Sequence, residues 1–221
     1  MPGYEVKFER VAVAGGDDLL IRSLLDRQQY ADPQGEAEAA GISPATWPLF
    51  GLVWPSARKL AELMQVCELN SRRILEIGCG LGLASLVVHR RLGNVTASDC
   101  HPLTQVFLRT NLTLNALPEM KYLTGNWTRL NPGLGRFDLI MGSDVLYERS
   151  HPSQLSEFIE RHAAPAAEVI IIDPNRGNRS AFKRCMQALG FLLTETRLDS
   201  LLEDGTPYRG CLLRFRRMAC A

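Results

Sequence analysis

Three glycines and two acids near the middle of the chain are spaced for ligand chemistry. Glu76-Ile77-Gly78-Cys79-Gly80-Leu81-Gly82 follows the short apolar run Arg73-Ile74-Leu75-Glu76-Ile77 and precedes a helical stretch. Glycines at Gly78, Gly80 and Gly82 let the backbone turn sharply and let a ligand approach with no Cβ in the way. Alone, the turn implies no more than a tight strand-to-helix connection. Asp99 ends the next strand-like segment, about twenty residues on, where a carboxylate accepts hydrogen bonds from both hydroxyls of a ribose.

Two nucleotide-like ligands fit that pairing. A dinucleotide fingerprint needs a third glycine at position 83, which is Leu83, and a helix start that holds a pyrophosphate anion. Here an acid, Glu76, stands before the turn instead. A carboxylate suits a cation, and S-adenosyl-L-methionine carries a sulfonium and an ammonium but no phosphate. The residues therefore favour S-adenosylmethionine over a dinucleotide.

These residues need elements to hold them. Residues 4–13 alternate apolar with polar, as a half-buried strand does, and Gly15-Gly16 marks a turn. Leu19 to Tyr30 reads as a short helix broken at Asp32-Pro33, and 34–46 as a loop or weak helix. Ser56 is placed to cap a helix over 56–68. Beyond residue 72 strands and helices alternate. Strands are expected at 73–77, 94–99, 120–127, 137–144 and 167–173, and helices at 83–92, 102–116, 151–163 and 178–189. Gly190 sits where a helix C-cap belongs. Phe191–Leu198 and Tyr208–Arg216 read as two strands joined by Glu203-Asp204-Gly205-Thr206-Pro207. Such alternation predicts an α/β fold with a mostly parallel sheet, helices on both faces and an antiparallel C-terminal hairpin. Ligands then bind beyond the carboxyl ends of the strands, after Ile77, Asp99, Trp127, Asp144 and Asp173. The domain reading is an N-terminal extension over 1–46, a lid or a strand paired to the sheet edge, and one ligand-binding domain over 47–221.

Composition narrows the setting. A net charge of +1 over 221 residues gives no global pull toward nucleic acid or an acidic membrane. Met1 to Arg10 lack a signal peptide's apolar core, and no apolar run reaches the roughly 18 residues of a membrane span. The expected location is cytoplasmic. The six cysteines form no Cys-x-x-Cys pair and read as free thiols. With no Cys/His cluster, no metal is expected. Arg214, Arg216 and Arg217 read as charges on a solvated edge strand.

On the residues Trp54, Glu76 to Gly82, Asp99, Trp127 and Ser143-Asp144-Val145-Leu146-Tyr147, the chain resembles the class I S-adenosylmethionine-dependent methyltransferases over about residues 47–217. Within them it is similar to the small protein-lysine methyltransferases that carry Asp-x-x-Tyr after the fourth strand. The resemblance implies a Rossmann-like, seven-stranded sheet. It also implies Trp54, Glu76, Gly78, Cys79, Gly80, Gly82, Asp99, Cys100, Asn126, Trp127 and Ser143 around the cofactor, and Asp144 and Tyr147 at the transferred methyl group.

Trp127 would then pack on adenine, with Asn126 offering an amide where the group has an acid. Trp54 would cover the cofactor from the N-terminal side, with Trp47 and Phe50 as lid packing. Cys79 and Cys100 read as small residues in tight places. The site lacks the Pro-Pro of enzymes that methylate bases or glutamine, which points to an amine acceptor. Asp144 would orient a lysine ammonium and Tyr147 would flank it, with an apolar channel favouring the neutral amine. Plain packing remains the alternative for Trp54, Trp127 and Tyr147, and a turn cap for Asp144. Asp173-Pro174-Asn175-Arg176 is either a turn into a helix or a lip on which Arg176 meets an acidic partner. The expected substrate is a protein lysine. A small amine is the second reading and a binding module without chemistry the third.

Overall fold

The computed structural model describes residues 3–29, 31–202 and 205–219 of the chain. Tyr30, Glu203, Asp204 and Cys220, which figure in the sequence expectations, lie outside the described residues.

A seven-stranded sheet forms the centre. Its strands are β3 (Arg73–Ile77), β4 (Asn94–Ser98), β5 (Lys121–Tyr122), β6 (Phe137–Ser143), β7 (Ala163–Asp173), β8 (Leu192–Leu201) and β9 (Pro207–Arg217). Their spatial order is β5-β4-β3-β6-β7-β9-β8. Neighbours from β5 to β7 run parallel, while β9 pairs antiparallel with both β7 and β8. The near-continuous apolar runs of β6 and β7 suit strands covered on both faces, and Leu139, Ile140, Met141 and Val169 to Ile171 are fully buried. Helices α2 (Pro55–Val66), α3 (Leu83–Arg90), α4 (Thr104–Leu114), α5 (His151–His162) and α6 (Arg179–Ala188) flank it. The order of strands reverses between β3 and β6, the switch point at which open α/β sheets bind ligands.

Several expectations change. Leu19–Leu24 is a strand, β2, paired antiparallel with β1 (Val6–Val11) in a separate two-stranded sheet. Alternate burial of Leu19, Ile21 and Ser23, together with pairing across the Gly15-Gly16 turn, overrides local helical spacing. The N-terminal strands therefore do not extend the central sheet. A single short helix, α1 (Glu36–Ala39), interrupts the next loop. The strand expected at 120–127 shrinks to Lys121–Tyr122, leaving Trp127 in a loop. Helix α2 starts at Pro55 with Trp54 as its N-cap, while Ser56 hydroxyl pairs with Tyr208 hydroxyl at 3.0 Å. Gly190 follows α6 at φ 82°, the left-handed setting that ends helices.

Strand β9 is interior, so its arginines do not guard an edge. Glu168, 6% exposed, accepts from Arg72 at 2.9 Å, Arg214 at 3.0 Å and Arg216 at 3.3 Å. Arg217 pairs with Glu160. These charged donors offset the cost of keeping that carboxylate so far from water.

The β1–β2 hairpin docks on α4. Asn111 Oδ1 accepts from Arg22 N at 2.8 Å, and Asn115 Oδ1 accepts from Leu20 N at 2.9 Å. Removing one such acceptor leaves a backbone N–H without its partner. Asn111→Ala should cost about 1–3 kcal/mol and accelerate amide exchange at Arg22, with β3 and β6 still protected. Unchanged exchange at Arg22 would contradict this docking.

Candidate cofactor and acceptor site

A cavity of about 900 Å³ opens beyond the carboxyl ends of β3, β4 and β6. Its floor is the glycine turn. Gly80, at φ 50°, lies so close under the chain that a Cβ would meet Phe50 O at 2.8 Å. At Gly78, φ 56°, a Cβ would press Val145 at 3.1 Å and Trp127 at 3.5 Å. Both positions need glycine twice over, for the left-handed backbone and for the space.

Asp99 is the centrepiece of the floor. It is 8% exposed. Oδ2 accepts from Gly80 N at 2.9 Å and Oδ1 from His101 N at 2.9 Å. Burial pushes its carboxyl above the usual range. Each oxygen keeps a lone pair for a further donor, and two ribose hydroxyls would supply donors that burial has denied it.

Glu76 and Gly82 are the sequence-predicted site residues that do not line the cavity. Glu76 is 2% exposed. Glu76 Oε2 accepts from Ser85 N at 2.7 Å, in the first turn of α3, whose N-cap is Gly82. The carboxylate therefore occupies the helix N-terminus where a dinucleotide would set its pyrophosphate. The conclusion drawn from Glu76 survives for a different reason: the acid blocks an anion rather than facing a cation.

The walls bring the remaining candidates together. Trp54, Cys79, Cys100, Asn126, Trp127, Ser143, Asp144 and Tyr147 all line the cavity. Trp54 Nε1 donates to Leu49 O at 2.7 Å, and Arg27 lies over its ring at 4.8 Å. Asn126 Oδ1 is engaged in its own turn, accepting from Thr128 N at 2.9 Å and Thr128 hydroxyl at 2.7 Å. The roof comes from Arg27, Thr46 and the segment 38–42 around α1.

Sequence reasoning missed two histidines. His151, at the start of α5, meets Trp127 edge-on at 5.1 Å and Tyr147 at 4.5 Å. Its Nδ1 lies 2.8 Å from Val145 O, so that nitrogen carries the hydrogen. Its position four residues after Tyr147, at a helix start, was the available signal. His101 stacks on Phe50 at 3.8 Å, and burial pushes its imidazole down to about 4. It reads as a neutral wedge between the floor and the 3-10 turn Trp47–Gly51.

At the rim, Asp144 adopts φ 54°, a setting Asp tolerates better than most residues, and its N–H donates to Ile172 O at 2.8 Å. Asp144 caps no turn with its side chain. Both oxygens go to Arg176, which donates from Nε to Oδ1 at 2.8 Å and from Nη2 to Oδ2 at 2.9 Å. Within the chain, Arg176 is paired with Asp144. The segment before α6 is also a turn, since Arg176 N donates to Asp173 Oδ1 at 2.8 Å. Among the described residues no cluster of His, Cys, Asp and Glu is arranged to hold a metal, and no helix is long and apolar enough to cross a membrane. Cys67, Cys79, Cys100, Cys185 and Cys211 are free thiols.

Residues 48–189 match a family model described as lysine methyltransferase. A calmodulin-lysine N-methyltransferase of Arabidopsis thaliana is 28% identical over 162 residues, covering 66% of this chain and 53% of that protein. Protein N-lysine methyltransferase METTL21A of Danio rerio is 27% identical over 139 residues, covering 57% and 62%. The chain thus spans about half to three-fifths of the length of these curated relatives. Among solved structures, magnesium protoporphyrin IX methyltransferase from Synechocystis PCC 6803 with bound SAM aligns with a TM-score of 0.58 at 14% identity, covering 86% of this chain and 95% of that one. The ribosomal protein L11 methylase of Lactobacillus delbrueckii subsp. bulgaricus gives 0.58 at 16% identity, covering 76% and 81%. At these identities the likeness concerns the fold.

The buried Glu76 generates a pH signature. Burial raises its carboxyl from an ordinary 4.5 to about 7, so the folded chain holds this proton more tightly than the unfolded chain. Unfolding then releases the proton between those values, and stability falls as pH rises from 4.5 to about 7 and levels off above. The loss is about 3 kcal/mol at most. Glu76→Gln keeps an oxygen for Ser85 and should remove this component. Urea denaturation of both chains across that range checks it, and parallel curves would contradict it.

Proposed function

Because this chain belongs to the lysine methyltransferase family, we propose that it transfers a methyl group from S-adenosylmethionine to the side-chain amine of a lysine in a protein. The observation that carries the reading is the meeting of a ribose-type acid, Asp99, and the Asp144–Tyr147 pair along one cavity at the sheet's switch point.

The residues present fit the cofactor. Asp99 has lone pairs for two hydroxyls, and the glycine turn leaves backbone room for the sugar and the amino-acid portion. Trp127 offers a ring for adenine, backed edge-on by His151. The cavity volume lies within the usual range for small-molecule sites. When bound, S-adenosylmethionine supplies an electrophilic methyl group on a positively charged sulfur. What this chain contributes is placement, which accounts for much of the rate in such transfers. Asp144 sets the depth at which an amine can stop. Tyr147, 43% exposed, presents its ring at the cavity's mouth, where it can flank a lysine stem. Arg27, Thr46 and the segment 38–42 act as the lid over the cofactor, with Arg27 on Trp54. The METTL21A and calmodulin-lysine enzymes act on lysines of proteins by their names, and an open rim at Tyr147 favours the same class over a small amine. Free thiols at five described cysteines are in keeping with a cytoplasmic setting.

Titration calorimetry with S-adenosylhomocysteine tests the cofactor half. Binding is expected for the natural chain and should weaken by about 1–3 kcal/mol in Asp99→Ala; the absence of binding at high micromolar concentration would sink the proposal. Tritiated S-adenosylmethionine added to a lysate of the source cell tests the acceptor half. Label should enter protein bands and be lost with Asp144→Ala. Label confined to the low-mass fraction would favour a small amine instead.

A further inference from the structure

The fork between Arg176 and Asp144 remains unused by that reading, although it sits where the acceptor should arrive. The Asp144 side chain is 10% exposed beneath the guanidinium, which is itself 41% exposed. Arg176 is anchored from behind by its own N–H on the fully buried Asp173. The chain reaches the pair from both sides through left-handed residues that are not glycine, Asp144 at φ 54° and Asn175 at φ 65°. Both oxygens of the acid that would greet an ammonium are thus already met by a cation.

We propose that Arg176 is a positioning residue for the methyl-accepting amine: held on both oxygens of Asp144, its fixed charge favours the neutral, nucleophilic form of the amine. The inference rests on the methyltransferase reading above. A protonated lysine has no lone pair with which to attack. A bare carboxylate would hold it protonated, since an opposite charge favours the charged form. With Arg176 in place the pair is neutral overall, and an arriving ammonium meets a like charge that favours loss of its proton to solvent. Asp144 still has lone pairs to accept a hydrogen from the neutral amine and aim it. Arginine suits this task because it stays charged across the working range of pH and grips a carboxylate with a planar fork.

The other charged and titratable groups around the pair do not supply this effect. Tyr147 and Glu148 follow β6, and the Glu148 side chain is 52% exposed, facing His151 at 3.7 Å. Asp173, at the end of β7, accepts from the Arg176 backbone with Oδ1, its Oδ2 is buried with no partner among the described residues, and burial pushes its carboxyl up toward the neutral form. Arg179 of α6 turns to Glu195 and Cys211. Tyr208 of β9 is bonded to Ser56. Asp99 and Cys100, after β4, line the same cavity and carry no positive charge. Arg176 is the cation placed on the acceptor acid.

The test is the pH profile of methyl transfer. Lysate protein from the source cell serves as acceptor with tritiated S-adenosylmethionine, and the initial rate is read on the most strongly labelled band for the natural chain, Arg176→Gln and Arg176→Lys. The rate of the natural chain should rise toward alkaline pH as the amine loses its proton. In Arg176→Gln the midpoint should move up by about one pH unit, giving a roughly tenfold deficit at neutral pH that closes in alkali. Arg176→Lys keeps the charge and should keep the midpoint. The proposal is overturned if Arg176→Gln is slower by one factor at every pH, or if Arg176→Lys shifts as far as Arg176→Gln. Calorimetry with S-adenosylhomocysteine accompanies each variant: a Gln variant that binds normally, with an unmoved midpoint, defeats this inference and leaves the function standing. A natural chain that binds but labels nothing defeats the function and this inference with it.

Discussion

One buried carboxylate holds the floor of the cavity in shape. Asp99 receives Gly80 N–H on one oxygen and His101 N–H on the other, so the end of β4 fixes both the glycine turn after β3 and its own following loop. Everything above depends on that clamp. Gly80 lies against the Phe50 carbonyl, and His101 stacks on the Phe50 ring. Phe50 and Trp47 pass the contact to Phe107 and Tyr4. A path of packed rings thus runs from the residues beside Asp99 to Tyr4 near the N-terminus. The cost is desolvation of a charge, offset by charge-assisted hydrogen bonds from the backbone.

Two further acids divide the remaining electrostatic work. Glu76 stabilises the start of α3 from below and denies that helix end to an anion. Asp144 lines the cavity after β6, neutralised by Arg176. The cavity therefore has a buried acid with free lone pairs at its floor and a neutralised acid at its rim. That differs from a simple acidic hole for cations, the picture that the count of carboxylates alone would suggest.

Much of this was legible in the chain. The alternation of apolar runs with helical spacing after residue 72 predicted the sheet, and the glycine turn with Asp99 located its cavity, because both follow from local periodicity and from strand ends. Other features were not. Leu19–Leu24 carries a helical pattern that only its pairing with Val6–Val11 overrides. The arginines of β9 look like edge charges until the fold places Glu168 beneath them. The bond between Arg176 and Asp144 joins residues 32 apart in sequence across two strand ends, and spacing along the chain carries no trace of it. The environment of Glu76 was hidden for the same reason: burial and the Ser85 amide belong to the folded helix, not to the motif.

The account stands or falls on where the nucleoside sits. A crystal structure with S-adenosylhomocysteine bound is the most direct measurement. It should show the ribose hydroxyls on Asp99, the adenine beside Trp127 and the sulfur directed toward Asp144 and Tyr147, with Glu76 still on Ser85. A ligand seated away from Asp99, or one whose sulfur points away from the Asp144–Arg176 pair, would contradict it.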